Sequence, residues 1–183
     1  MAFQVKYRIE FNDNQGLDWK IDLSTDPWAG AITDLTPTAD PLTFYFDNNS
    51  DEYNDPIRPT FVNIQAYSIN NFDLIGLCST EDKEVLVEIY ADSTIHWTGF
   101  IDPGQFNEVY DQPPYIVNLM ATDGLDLLKD IEYSDDGTPY TGRKTEVEIL
   151  RDIFAKVHSY FTSFYEYVNM YDDEMNATTA DSP

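Results

Sequence analysis

The chain has 183 residues, with 34 acidic against 10 basic side chains and a formal net charge of −24. That surplus repels phosphate backbones and anionic bilayers, which argues against direct contact with nucleic acid or acidic membranes. It leaves two readings open: a solvated surface that resists nonspecific association, or an acidic face for a basic partner or a divalent cation.

Hydrophobic content is 42%, with 13 Tyr and 11 Phe, so a chain of this length can build its core without a disulfide or metal staple. Cys78 is the single cysteine and follows Gly76-Leu77 in an apolar run. It therefore forms no internal disulfide and reads as a small buried hydrophobe. No apolar run approaches the ~18 residues of a membrane span. The N-terminus enters strand-like sequence directly, so synthesis in the cytoplasm is the expectation.

Taken in order, Phe3, Val5, Tyr7, Ile9 and Phe11 alternate with Gln4, Lys6, Arg8 and Glu10, the period of a strand with one apolar face. Asn12 to Gly16 is turn chemistry, and Leu17 to Leu23 alternates again through Trp19 and Ile21, which predicts a hairpin with a loop of about five residues. Ser24 to Pro27 breaks the pattern. Ala29 to Leu35 reads as a short strand with Ile32 buried, Pro37 and Pro41 bound an irregular segment, and Leu42 to Phe46 is a short apolar strand.

After a polar loop from Asp47 and the extended Asp55 to Pro59, Thr60 to Tyr67 separates Phe61, Asn63, Gln65 and Tyr67 from Val62, Ile64 and Ala66. Phe72 to Cys78 is a further short strand. Glu84 to Ala91 and Ile95 to Ile101 form a hairpin about Asp92-Ser93-Thr94, with Val85, Val87 and Ile89 on one face. Phe106 to Tyr110 is a weak strand, and Tyr115 to Ala121 a stronger one. Asp123 suits the N-cap of a short helix through Leu125, Leu128 and Ile131, and Thr145 to His158 is the main helix, capped by Thr145.

The expected fold is mostly β: an antiparallel barrel or sandwich-like domain over residues 1–121, with a helical segment at 122–158 packed on it. Residues 159–183 form an aromatic and acidic C-terminal arm whose last ten residues are loose. Arms of this composition need a partner surface.

Chemical motifs are sparse. Asp47, Asn49 and Asp51 have the alternating oxygens of a calcium loop, but Glu52 stands where such a loop needs Gly and no helices flank it, so a solvated loop is the expectation. Asp135-Asp136-Gly137 poses the same question with fewer ligands. Among 34 acids, carboxylate pairs arise by chance, so a hydrolase site cannot be singled out. Two histidines, His96 and His158, and one cysteine make a zinc site improbable. His96 is expected on an outward strand face. Trp19 and Trp97 are expected in the core. No catalytic residue, metal site or cofactor is therefore assigned.

The order of several segments resembles the N-terminal region of bacteriophage tail and baseplate hub proteins, particularly those of Bacteroidetes-type hosts. These segments are the opening hairpin with Trp19, then Pro41-Leu42-Thr43-Phe44 and Pro56-Ile57-Arg58-Pro59-Thr60. Trp97-Thr98-Gly99-Phe100-Ile101 and Ala121-Thr122-Asp123-Gly124-Leu125 complete the series. The resemblance runs from about Phe3 to Lys156. It implies a non-enzymatic virion protein whose barrel-like domain assembles into a three- or six-fold ring with other tail proteins, with Trp19, Arg58, Pro59, Trp97, Gly99, Asp123 and Gly124 as structural signature residues. Such hubs are usually longer than this chain. A carbohydrate- or receptor-binding module is the alternative, and an acidic-site hydrolase a more distant one.

Overall fold

The computed structural model describes residues 3–46, 59–69, 77, 83–103, 111–125, 132, 134–135, 137–157, 170–171 and 177–178. By contacts the chain divides into two compact units, Met1–Asp126 and Leu127–Pro183.

The first unit is a seven-stranded barrel. Its strands are β1 (Gln4–Asn12), β2 (Asp18–Thr25), β3 (Thr33–Phe46), β4 (Thr60–Ser68), β5 (Val85–Ala91), β6 (Thr94–Ile101) and β7 (Tyr115–Thr122). They run around the barrel in the order β1-β2-β5-β6-β7-β4-β3, and β3 closes the ring beside β1. All neighbours are antiparallel except β1 and β3, which are parallel. The expected mostly-β antiparallel barrel is the observed fold.

Alternation places the core. Ile9, Ile21, Leu23, Val62, Ile64, Val87, Ile89, Val117 and Leu119 point inward and are fully buried. Each such aliphatic side chain contributes roughly 1.5–3 kcal/mol on leaving water. The opposite set on β4 (Phe61, Asn63, Gln65, Tyr67) lines up across β7 with Thr122, Met120, Asn118 and Ile116 on the outer face.

The hairpins agree with their turn chemistry. In the β1–β2 loop Asp13 Oδ1 accepts the Gln15 and Leu17 N–H groups, and Gly16 supplies a φ of 84°. The β5–β6 turn is Asp92-Ser93 with φ of 46° and 68°, the left-handed pair of a two-residue hairpin loop.

Two expectations are corrected. The segments on either side of Pro37 and Pro41 belong to one 14-residue strand, β3, because the pairing with β4 shifts register between Pro37 and Leu42 and absorbs both prolines. Proline cannot donate to a ladder, so it is tolerated at such an irregularity. Ile32, expected to be buried, is 44% exposed, because β3 starts only at Thr33 and leaves Ile32 outside the ladder.

The expected strand at Phe72 to Cys78 lies outside the described residues except for Leu77, which is fully buried. The weak strand at Phe106 to Tyr110 and the short helix beyond Leu125 also lie outside them.

In the second unit, β8 (Ser134–Asp135) and β9 (Thr138–Pro139) form a small hairpin, and β10 (Met170–Tyr171) pairs with β11 (Ala177–Thr178) within the stretch expected as a partly loose arm. The main helix, α1 (Glu146–Val157), begins at a reciprocal cap. Thr145 N–H donates to Glu148 Oε2 at 2.8 Å and Glu148 N–H donates to Thr145 Oγ1 at 3.3 Å. The Thr145 N–H holds the Glu148 carboxyl below its ordinary pKa. At the other end of α1, Lys156 Nζ donates to the Glu132 and Ser134 carbonyls of the β8 side. Among the described residues no helix is long and apolar enough to cross a membrane.

Candidate functional site

Strand direction brings the ends of β1, β3, β5 and β7 and the starts of β2, β4 and β6 to the same end of the barrel. Most of the residues singled out from sequence gather there, in two groups.

The first group is aromatic. Trp19, at the start of β2, stacks on Phe11 of β1 with ring centroids 6.4 Å apart and planes 8° from parallel. His96 meets the Trp19 ring edge-on at 5.4 Å and the Phe44 ring at 5.6 Å. Its position follows from a bulge: Ile89 lies opposite Trp97 while Tyr90 lies opposite Ile95, so His96 is the extra residue. It is exposed, as the outward-face reading requires, but its ring rests against two aromatics that pack on the core. Trp19 Nε1–H donates to Asp13 Oδ2 at 3.3 Å. With the Leu17 amide foremost, these donors hold the Asp13 carboxyl below its ordinary pKa.

The second group is a hydrogen-bonded chain across β6, β4 and β7. Trp97 Nε1–H donates to Thr60 Oγ1 at 2.9 Å, and the Thr60 hydroxyl donates to Asp123 Oδ2 at 2.8 Å. The Thr60 amide donates to the same oxygen at 2.7 Å, and the Leu125 amide donates to Asp123 Oδ1 at 3.0 Å. Asp123 thus caps the turn at Leu125, as its residue type suggested, and also ties the start of β4 to the end of β7. Gly99 makes room for this arrangement: a Cβ there would lie 2.3 Å from both the Thr122 carbonyl oxygen and the Trp97 ring. Gly124 is buried with φ of 81°, where a side chain would be strained.

Of the signature residues, Trp97, Gly99, Asp123 and Gly124 therefore converge, Trp19 sits in the aromatic group, and Pro59 is half-buried next to Thr60. Arg58 and the acidic loop 47–55 lie outside the described residues. Trp28, near the other end of the barrel, has a buried Nε1 with no hydrogen-bond partner, and its ring lies against Gly30. Among the described residues no group of three or more His, Cys, Asp or Glu could hold a metal ion.

One charged cluster has no signal in the sequence. On the outer face of β1, β2 and β5, Arg8 grips Asp22 with Nε–Oδ1 at 2.7 Å and Nη2–Oδ2 at 3.1 Å, and Lys20 Nζ approaches the same carboxylate at 3.3 Å. Asp22 is only 3% exposed. Its hydrogen bonds raise the Arg8 pKa, so the guanidinium stays charged. Lys20 Nζ also sits 3.9 Å over the Tyr90 ring, and burial followed by the nearby Glu88 pushes the Tyr90 phenol up to about 12. In sequence these residues were simply the polar half of an alternation. The missing signal is cross-strand register, which places Arg8 opposite Asp22 and Asp22 opposite Glu88.

No family model matches the chain, and no curated protein or solved structure matches it.

Proposed function

We propose that the chain is a structural protein of a phage tail or baseplate hub, acting through ring assembly and protein–protein contacts. The observation that carries this reading is how the barrel is filled. Its described interior is occupied by buried aliphatic side chains from six strands. The polar groups grouped at one rim bind one another and the backbone: Asp13 holds its own loop, and Asp123, Thr60 and Trp97 hold one another. A barrel built this way offers its outer surface to partners. The ordered segments that resemble tail hubs support the particular setting, the virion tail.

Negative-stain electron microscopy and mass photometry of the purified chain test the proposal. Three- or six-fold rings, alone or with neighbouring tail proteins, are expected; a monodisperse monomer with no affinity for other tail components would overturn it.

A carbohydrate- or receptor-binding module is the second reading, favoured by one observation: an open cleft at the rim lined by Trp19, Asn12, Asp18 and Lys20 combines an indole with hydrogen-bonding side chains. A glycan array on which the wild type binds nothing removes it.

A further inference from the structure

We infer that the outward face of β3, β4 and β7 is a self-association surface, on which a second copy of this chain packs about a two-fold axis. The inference rests on the reading of the chain as a self-assembling protein and assigns that assembly a face.

The face stands out by its charge. β4 reads TFVNIQAYS and β7 reads YIVNLMAT; neither contains Asp, Glu, Lys, Arg or His, in a chain with a net charge of −24. Half of those positions face the core, where charge is excluded in any case. The outward half is where charge belongs, and the outward faces of β1 and β2 show it with Arg8, Glu10, Lys20 and Asp22. Where β3 pairs with β4 on this side, its outward residues are Thr36, Thr43 and Tyr45, and Asp40 falls in the register break. Tyr45 is 47% exposed and Ile116 43%. Asn118 is also exposed, and Asn63 is half-buried between its neighbours.

The occupant follows from the same contrast. A basic partner is drawn to carboxylates and gains nothing on β4 and β7, which have none; the acids of β3, Asp34 and Asp40, lie before its pairing with β4 and in its register break. Two equally acidic copies meet like charge wherever carboxylate-bearing surfaces touch, and they escape it on this face. Contact of one patch with its own copy is isologous and closes at two. At ~3.3 Å per residue along a strand and ~4.8 Å between strands, three strands of about eight residues span roughly 26 by 14 Å, which is small for a stable interface and fits a weak contact. A ring needs a second, different contact, so two-fold pairing and ring closure are separable.

The test is sedimentation velocity of the full chain over a concentration series. Wild type is expected to populate dimers or other even-numbered species. Asn63→Asp combined with Asn118→Asp, nearly isosteric, sets carboxylates against each other across the axis and should weaken pairing by about tenfold or more. Gln4→Glu combined with Thr94→Glu adds the same charge at exposed positions off the face and should change it by less than about twofold. Circular-dichroism melting checks the fold, and Ile116→Thr, which trims exposed apolar area without adding charge, is read alongside. Pairing undiminished in the Asp and Thr variants would overturn the face while leaving self-assembly standing. Three-fold rings without even-numbered species would overturn two-fold pairing while leaving ring assembly standing. A strict monomer, including one that binds a different protein through these residues, would overturn self-association itself.

Discussion

At Gly99 one added methyl group meets fixed atoms on two sides, the Thr122 carbonyl and the Trp97 ring. Neither yields cheaply, because the carbonyl belongs to the β7 backbone and the indole is held by its bond to Thr60. Gly99→Ala should therefore destabilise the barrel by about 2–3 kcal/mol, the cost of overpacking; a urea midpoint equal to wild type would contradict the contact. Arg8→Ala acts by a different route. It leaves the nearly buried Asp22 carboxylate with Lys20, whose side chain is 33% exposed, as its remaining cation. An uncompensated buried charge costs about 3–5 kcal/mol, reduced here by Lys20 to about 2–3, and the double change Arg8→Met with Asp22→Leu should recover most of it. A double variant as unstable as Arg8→Ala would show that packing, not charge, dominates. Asp13 supplies a pH-dependent contribution. Its folded pKa is depressed, so its stabilisation is present above the ordinary carboxylate pKa and is lost as pH falls through the folded value. The stability gap between wild type and Asp13→Ala, measured by denaturant titration, should shrink as the solution is acidified through that window. Sequence marks Asp13 as part of a turn and Gly99 as a signature position, but it does not show that Trp97 lies over Gly99 and that Trp19 bonds to Asp13.

Strands with a period of two were legible: β1, β2, β4 and β5 bury the apolar positions that their alternation implied. Pairs joined by short turns were legible as well, because Asn12 to Gly16 and Asp92-Ser93 carry their turn geometry in their residue types. What sequence could not supply was pairing at a distance. The parallel contact of Tyr7, Arg8 and Ile9 with Thr33, Asp34 and Leu35 closes the barrel, and no local pattern encodes it. In sequence Pro37 and Pro41 read as breakers and split β3, and only its irregular register with β4 shows how a strand accommodates them. The β5–β6 hairpin gives the sharpest test at this scale. Ser93 holds φ of 68°, a conformation that costs a non-glycine residue roughly 1 kcal/mol. Ser93→Gly should raise stability by about 0.5–1 kcal/mol. Asp92 should be kept, since its amide donates to the Asp18 carbonyl and its carboxylate accepts the Asp18 amide. A lower melting temperature for Ser93→Gly would mean that the hydroxyl contributes more than the strain costs.

Across the barrel, charge is distributed unevenly. The outer face of β1, β2 and β5 carries an interlocked set of cations and carboxylates, whereas β4 and β7 carry none. The net charge of −24 was plain from composition, but its segregation was not, because it depends on which strands become neighbours. The two origins of association predict opposite responses to salt. An interface held by ion pairs loosens as the Debye length falls from ~10 Å at 0.1 M to ~3 Å at 1 M. Pairing of two acidic copies through an uncharged face has no ion pairs to lose and is opposed only by the repulsion of the surrounding carboxylates. Salt should therefore tighten it. The Asn63→Asp, Asn118→Asp variant sharpens the point: its deficit is electrostatic, so it should be largest at 0.1 M sodium chloride and should narrow towards wild type at 1 M. Sedimentation velocity at the two salt concentrations decides the matter. Dissociation of the wild-type pair at high salt would place the contact on the charged side of the barrel, at Arg8, Lys20 and their carboxylate neighbours.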